Sequence, residues 1–290
     1  MFISEFFFYC RFKNFILEYC GMNKTLKNIL LFILLFSFFY CSVIYFFQNK
    51  FLFNPDTNYK SPQTVNTPDF IEVPIKAKDG TQLMTWYFKG DENKPLILYF
   101  HGNSYQLSAF TPHLIQLVKL GYSVALLEYR GFGNTKGKIS QENVFSDAVD
   151  FYDYYKNKTN NEIIFYGYSF GCAVVMGLTQ HRNPDGIILT APFSSFYNEV
   201  KDKYYAPFAY CLLKDEYPSH EYIKNISSPI LILHGKKDKL INPKHSQQLY
   251  DLAPVEGKQL IFIDDVNHHD IFFKEINVPM IIDWLEQFNQ

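Results

Sequence analysis

The 290-residue chain has little with which to bind a metal or grip a nucleic acid. Of its five cysteines, Cys10, Cys20 and Cys41 lie in or before one apolar run near the N-terminus. Only Cys172 and Cys211 remain beyond it, so neither a disulfide framework nor a thiolate metal spacing is available. No basic run exceeds two residues and the formal net charge is −2, which argues against a phosphate-tracking surface and against nucleic acid as a partner. Internal repeats are absent, and no low-complexity tract follows residue 68.

Charge is missing altogether from Ile29 to Phe47. At a rise of about 1.5 Å per residue, this run is just long enough to cross a bilayer core of about 30 Å. A cleaved signal peptide has a shorter apolar region that ends in small residues. Here Phe38, Phe39, Tyr40, Phe46 and Phe47 crowd the end, which fits a retained single-pass transmembrane anchor over 29–47. A core helix would carry polar punctuation at helical spacing, and this run does not. Before it, residues 1–28 form an N-terminal segment with a second apolar clump, Phe6 to Tyr9. That clump is either an interfacial helix or a stretch upstream of a start at Met22. Cys10 and Cys20 are placed for acylation at a membrane, or are simple thiols. Arg11, Lys13, Lys24 and Lys27 precede the run while Lys50 and Lys60 follow it, a bias that favours the C-terminal domain on the lumenal or extracytoplasmic side.

Residues 48–69 read as a linker, because Asp56 to Pro68 is rich in Pro, Thr and Asn. The remaining domain, 70–290, opens with strands at Ile71–Lys76 and Leu83–Phe88 around the hairpin signal Asp79-Gly80. Continuous apolar runs then recur at Leu96–Phe100, Ser123–Leu127, Ile163–Tyr166, Gly186–Leu189, Ile230–Leu233 and Gln259–Ile263. Such runs suit parallel strands buried on both faces. Helical patterns separate them, at Phe110–Leu120, Val144–Tyr155, Cys172–Gln180, Pro243–Leu252 and Val278–Phe288. The alternation predicts an α/β fold, a mostly parallel sheet with helices on both faces. The long aromatic interval 192–228 reads as a small cap insertion over the strand ends, or as a surface helix pair.

In that fold the reactive groups belong just past the carboxyl ends of the strands. The run Ile163–Tyr166 leads into Gly167-Tyr168-Ser169-Phe170-Gly171 and then a helix. Gly-x-Ser-x-Gly arises by chance in a chain this long roughly one time in ten, given glycine near 7%. A strand before it and a helix after it make Ser169 the candidate nucleophile. Leu96–Phe100 ends in His101-Gly102-Asn103, where the N–H of Asn103 and that of Phe170 can face a developing oxyanion. His101 is an alternative base, but it precedes the serine in the chain. Ile230–Leu233 is followed by Asp238, either the orienting acid or a loop carboxylate beside Lys237 and Lys239. Gln259–Ile263 is followed by Asp264-Asp265-Val266-Asn267-His268-His269-Asp270, which places His268 as the general base, with Asp270 bonding the loop. The order Ser169, Asp238, His268 at three successive strand ends weighs for the acid role. Two histidines among three aspartates also suggest a metal, but neighbouring histidines rarely face one ion, so no metal or cofactor is expected.

These pieces together resemble the α/β-hydrolase superfamily. The chain is most similar to membrane-tethered abhydrolase-domain serine hydrolases, relatives of protein depalmitoylases. The resemblance rests on Gln48 to Pro55, Leu98 to Asn103, Glu128-Tyr129-Arg130-Gly131-Phe132-Gly133, Gly167 to Gly171, Ser228 to Gly235, Asp238, and His268 to Ile271. It implies a serine hydrolase of the esterase, lipase or thioesterase type, acting through an acyl-enzyme on a lipid-like acyl substrate. A peptidase or amidase on the same residues, and a non-catalytic binding domain, are the alternatives. Two departures stand out. Family members often approach the histidine through Gly-x-Gly-His-Asn-Asp, where this chain has Asp265-Val266-Asn267-His268-His269-Asp270. The cysteine-rich N-terminus of palmitoylated depalmitoylases is replaced by an anchor, which counts against their substrate.

Overall fold

A computed structural model describes residues 21–65, 70–204 and 212–288. The apolar clump at Phe6, the thiols of Cys10, Cys20 and Cys211, and the middle of the 192–228 interval lie outside the described residues. The chain divides into two units, Met1–Gln48 and Asn49–Gln290.

The first unit is dominated by helix α1, Lys24–Leu52, which continues a few residues into the second. Asn23 starts it, its side-chain oxygen accepting the N–H of Leu26 at 2.8 Å. The helix is long and apolar enough to cross a membrane, with a mean hydropathy of 2.5 over an 18-residue window within Lys24–Lys50. Phe32, Phe38 and Phe46 are exposed on it, so it is not a core helix.

The second unit is built on an eight-stranded sheet in the order β1-β2-β4-β3-β5-β6-β7-β8. The strands are β1 (Ile71–Lys76), β2 (Gln82–Phe88), β3 (Leu96–Phe100), β4 (Ser123–Leu127), β5 (Ile163–Tyr168), β6 (Gly186–Thr190), β7 (Ile230–Gly235) and β8 (Lys258–Ile263). β1 and β2 pair antiparallel, as does β2 with β4, and every later pairing is parallel. Alternation along each buried strand feeds two cores. Leu96, Leu98 and Phe100 of β3 face one, with Phe151 of α3 (Gln141–Lys156), Val174 of α4 (Phe170–Leu178) and Leu249 of α7 (Lys244–Leu252). Ile97 and Tyr99 face the other, with Leu114 of α2 (Thr111–Lys119), Phe272 of α8 (Asp270–Phe273) and Trp284 of α9 (Val278–Leu285). This is the mostly parallel α/β sheet with helices on both faces that the apolar runs predict.

One element differs from expectation. The supposed linker is fastened to the domain over 49–65: Asn54 forms a parallel bridge with Ser104, and Gln106 Oε1 accepts the N–H of Lys60 at 3.0 Å. Gly133 N–H also donates to the carbonyl of Asp56 at 2.9 Å, and Phe53 is buried. Backbone groups of Asn54, Asp56 and Lys60 make these contacts, while the side chains of Asn54, Asn58 and Lys60 stay exposed. In the 192–228 interval the described elements are α5 (Phe196–Tyr204), α6 (Ser219–Tyr222) and a 3-10 turn at Ile223–Asn225. Phe196 and Tyr217 pack their rings against Phe170, at 6.0 and 5.0 Å.

Candidate active site

Tyr168 ends β5 and Phe170 begins α4, so Ser169 alone makes the turn. Its backbone has φ 53° and ψ −117°, a region costly for a residue with a Cβ, about 1–3 kcal/mol. The flanking glycines are required by close approach. A Cβ on Gly167 would stand 2.6 Å from the backbone nitrogen of Cys172, and one on Gly171 would stand 1.9 Å from the carbonyl oxygen of Phe100. A serine at a helix N-cap ordinarily turns its hydroxyl back to the helix, but Ser169 makes no such bond. Its Oγ instead lies 3.0 Å from Nε2 of His268.

His268 follows β8 on a loop fixed from several sides. Asp265 takes φ 58°, a left-handed conformation that Asp tolerates better than most residues. Asn267 Oδ1 accepts the N–H groups of His269 and Asp270, at 3.0 and 2.9 Å. Tyr168 donates its hydroxyl to the carbonyl of His268 at 3.0 Å. His268 is buried and His269 exposed, their rings nearly perpendicular. The loop role expected of Asp270 is filled by Asn267, and the Asp270 carboxylate pairs with Lys274 at 2.9 Å.

Asp238 lies in the loop after β7, its Oδ2 2.6 Å from Nδ1 of His268. Its Oδ1 accepts the N–H groups of Leu240 and Ile241, at 2.8 and 2.9 Å. Burial pushes the carboxyl up, but hydrogen bonds from His234 and His268 and the N–H of Ile241 outweigh it and hold the group well below the usual carboxylate range. An ionised Asp238 can only accept, so Nδ1 of His268 carries the hydrogen and Nε2 is free to accept from Ser169.

Asn103 and Phe170 line the groove beside Ser169. Phe170 and Gly171 open α4, so their N–H groups have no acceptor within the helix. Asn103 is held by the segment read as linker: its side chain donates to the carbonyl of Leu52 at 2.6 Å, and its carbonyl accepts the N–H of Asn54 at 3.0 Å. His101 is buried away from the groove's reacting groups, stacked on Tyr129 at 4.1 Å with Nε2 3.3 Å from Glu128 Oε1. Tyr129 donates to the His101 carbonyl at 2.9 Å. The Glu128-Tyr129 pair thus braces the loop that carries Asn103.

The groove has two lobes around Ser169. One is lined by Phe193, Phe196, Val200 and Ile241, with Glu199, whose carboxylate lies 3.4 Å from His245 Nε2. The other is lined by Asn54, Ser104, Tyr105, His269 and Phe273. Asp264 and Asp265 point to Lys236 and Lys237, at 2.7 and 2.8 Å.

The family model described as "Serine aminopeptidase, S33" matches residues 91–214 and 198–275. YfhR of Escherichia coli O157:H7 is 30% identical over 263 residues, covering 87% of this chain and 90% of that protein. The chain belongs to the α/β-hydrolase superfamily. Within it, the lysophosphatidylserine lipase ABHD12 of Danio rerio is 29% identical over 239 residues, 71% of this chain and 61% of that one. The hydrolase fold is also that of the Pyrococcus furiosus esterase Pf2001, with TM-score 0.66 and 17% identity over 82% of this chain and 100% of that one. The Paleococcus ferrophilus monoacylglycerol lipase is similar too, at TM-score 0.55 and 15% identity over 70% and 98%. Two residues of this hydrolase site, His234 and Tyr168, escaped the sequence reading. The only signal for each was its place one or two residues from a strand end.

Proposed function

We propose that this chain is a membrane-anchored serine hydrolase that cleaves acyl esters or thioesters of lipid-like molecules. The observation that carries the reading is the continuous contact from Ser169 Oγ through His268 to Asp238, at 3.0 and 2.6 Å, on a serine in a strained turn. As Ser169 Oγ bonds to the substrate carbonyl carbon, its proton passes to Nε2 of His268. The carbonyl oxygen becomes an oxyanion facing the N–H groups of Asn103 and Phe170. The His268 proton then moves to the departing alcohol or thiol, leaving an acyl-enzyme. Water repeats the sequence, giving its proton to His268 and its oxygen to the acid product. No cofactor enters.

The aromatic lobe formed by Phe193 and Phe196 suits an acyl chain, and the lobe with Asn54 and Ser104 suits a polar alcohol. Relatives and fold neighbours named as lipases and esterases support an ester over an amide. The 29–47 part of α1 is the proposed anchor, supported by its length and its exposed apolar faces. The 192–228 interval is the proposed cap, supported by its ring contacts to Phe170. Hydrolysis of a peptide bond by the same residues is the second reading, favoured by the description of the matching family. The test is a fluorophosphonate probe on the full chain, followed by p-nitrophenyl esters of rising acyl length and aminoacyl p-nitroanilides. The proposal expects labelling and a preference for longer esters; faster anilide turnover would favour the peptidase.

A further inference from the structure

Asp238 is held by two histidines. His234, in β7, is fully buried, and its Nε2 lies 3.1 Å from both Asp238 Oδ2 and the carbonyl of Ile241. Both neighbours are acceptors, so Nε2 carries a hydrogen. Its Nδ1 lies 2.6 Å from the hydroxyl of Ser246 in α7, which donates to it when the ring is neutral. His268 has the opposite tautomer, with its hydrogen on Nδ1 toward the same Oδ2. One carboxylate oxygen therefore receives two ring N–H groups, while the other receives two backbone N–H groups.

We propose that His234 is a positioning residue for the reaction, fixing Asp238 Oδ2 and drawing off part of its charge from His268. The inference rests on the reading of Ser169, His268 and Asp238 as the reacting set. A donor that stabilises a carboxylate weakens its hold on any other cation. With His234 in place, the imidazolium formed on His268 is bound tightly enough to orient and loosely enough to return its proton. The sign is the same if His234 is itself charged, since a second cation also disfavours the imidazolium. The other titratable groups facing His268 are Tyr168 of β5 and the neighbouring His269, each with its ring 5.5 Å away. Lys237, next to Asp238 in the chain, is turned outward to Asp265.

The test compares His234→Leu, His234→Asn and His234→Gln in the full chain. Gln carries an N–H₂ group about as far out as the imidazole Nε2; Asn is too short, and Leu has no donor. The pH dependence is measured for fluorophosphonate labelling and for p-nitrophenyl butyrate hydrolysis. His234→Leu and His234→Asn are expected to react at least about tenfold more slowly, with the acid limb about half a pH unit or more higher. His234→Gln is expected to recover the rate to within about threefold and return the limb toward wild type. Should Leu not fold, Asn against Gln makes the same comparison between two amides. Equal slowing in all variants with an unmoved limb would make His234 a packing residue only, and wild-type behaviour in Leu or Asn would also overturn the proposal. A wild-type chain that neither labels nor hydrolyses would instead overturn the reading of Ser169.

Discussion

Gly171 sits so close to Phe100 that a Cβ would stand 1.9 Å from its carbonyl oxygen and 2.5 Å from its carbonyl carbon. The first turn of α4 therefore rests directly on the end of β3, which brings Phe170 of the helix and Asn103 of the following loop to one groove. Both neighbours of the absent Cβ are backbone, so nothing can rotate aside. Gly171→Ala should separate the two elements by a large fraction of an ångström, and displacements of about 1 Å cost on the order of 100-fold in rate. The check is the labelling rate beside circular dichroism. A folded Gly171→Ala that labels at the wild-type rate would refute the shared oxyanion role.

Stability should fall in acid through a residue outside the reacting set. His113 is buried under Phe272, with Nδ1 2.8 Å from the Phe272 carbonyl and Nε2 3.1 Å from the Tyr166 hydroxyl. Burial pushes its imidazole down to about 3, with only partial opposition from the Phe272 hydrogen bond. The unfolded histidine titrates near 6.5, so between about 6.5 and 3 the unfolded chain binds a proton that the native chain does not. His113 therefore contributes no penalty above that window, destabilises progressively as the pH falls through it, by at most about 1.4 kcal/mol per pH unit, and adds nothing further below it. His113→Gln should flatten the acid slope of denaturant-unfolding free energy by up to one proton. An unchanged slope would contradict this.

The strands were legible because parallel strands buried on both faces read as unbroken apolar runs, and the positions after them were legible because reactive groups gather there. Ser169, Asp238 and His268 were singled out by that placement with the Gly-x-Ser-x-Gly pattern and the chain order, and the structure brings them into contact at 3.0 and 2.6 Å. Residues 49–65 were misread because a polar stretch looks solvated until its partners are known, and Gln106 lies 46 residues from Lys60. Asp265 hid a left-handed turn because aspartate tolerates what glycine advertises. His234 and Tyr168 were missed because their roles depend on which atoms the register of β5 and β7 brings into contact.

Topology has its own check. Asn157-Lys158-Thr159 and Asn225-Ile226-Ser227 are glycosylation patterns with exposed asparagines. If the domain faces a lumen in a eukaryotic host, both asparagines are candidates for glycan addition, and protease added to sealed vesicles leaves the domain intact. Digestion without detergent would place it in the cytosol.

His268 and His269 should separate in a single comparison. His268→Ala is expected to lose about a thousandfold or more in kcat, comparable to Ser169→Ala, because serine and base act as a unit. His269→Ala, changed only at the groove wall, should lose less than about tenfold. The reverse pattern would mean that the exposed ring, not the buried one, is the base.

The most direct measurement is the site of covalent attachment, by peptide mapping of fluorophosphonate-treated protein. Besides the contacts of Ser169 and Ser246, the structure contains a further serine–histidine contact, Ser194 Oγ to His245 Nδ1 at 2.8 Å, with both residues buried. It serves as an internal control for proximity without access. The account predicts one adduct, on the peptide carrying Ser169, absent in Ser169→Ala and never on Ser194. An adduct on another residue that persists in Ser169→Ala would contradict it.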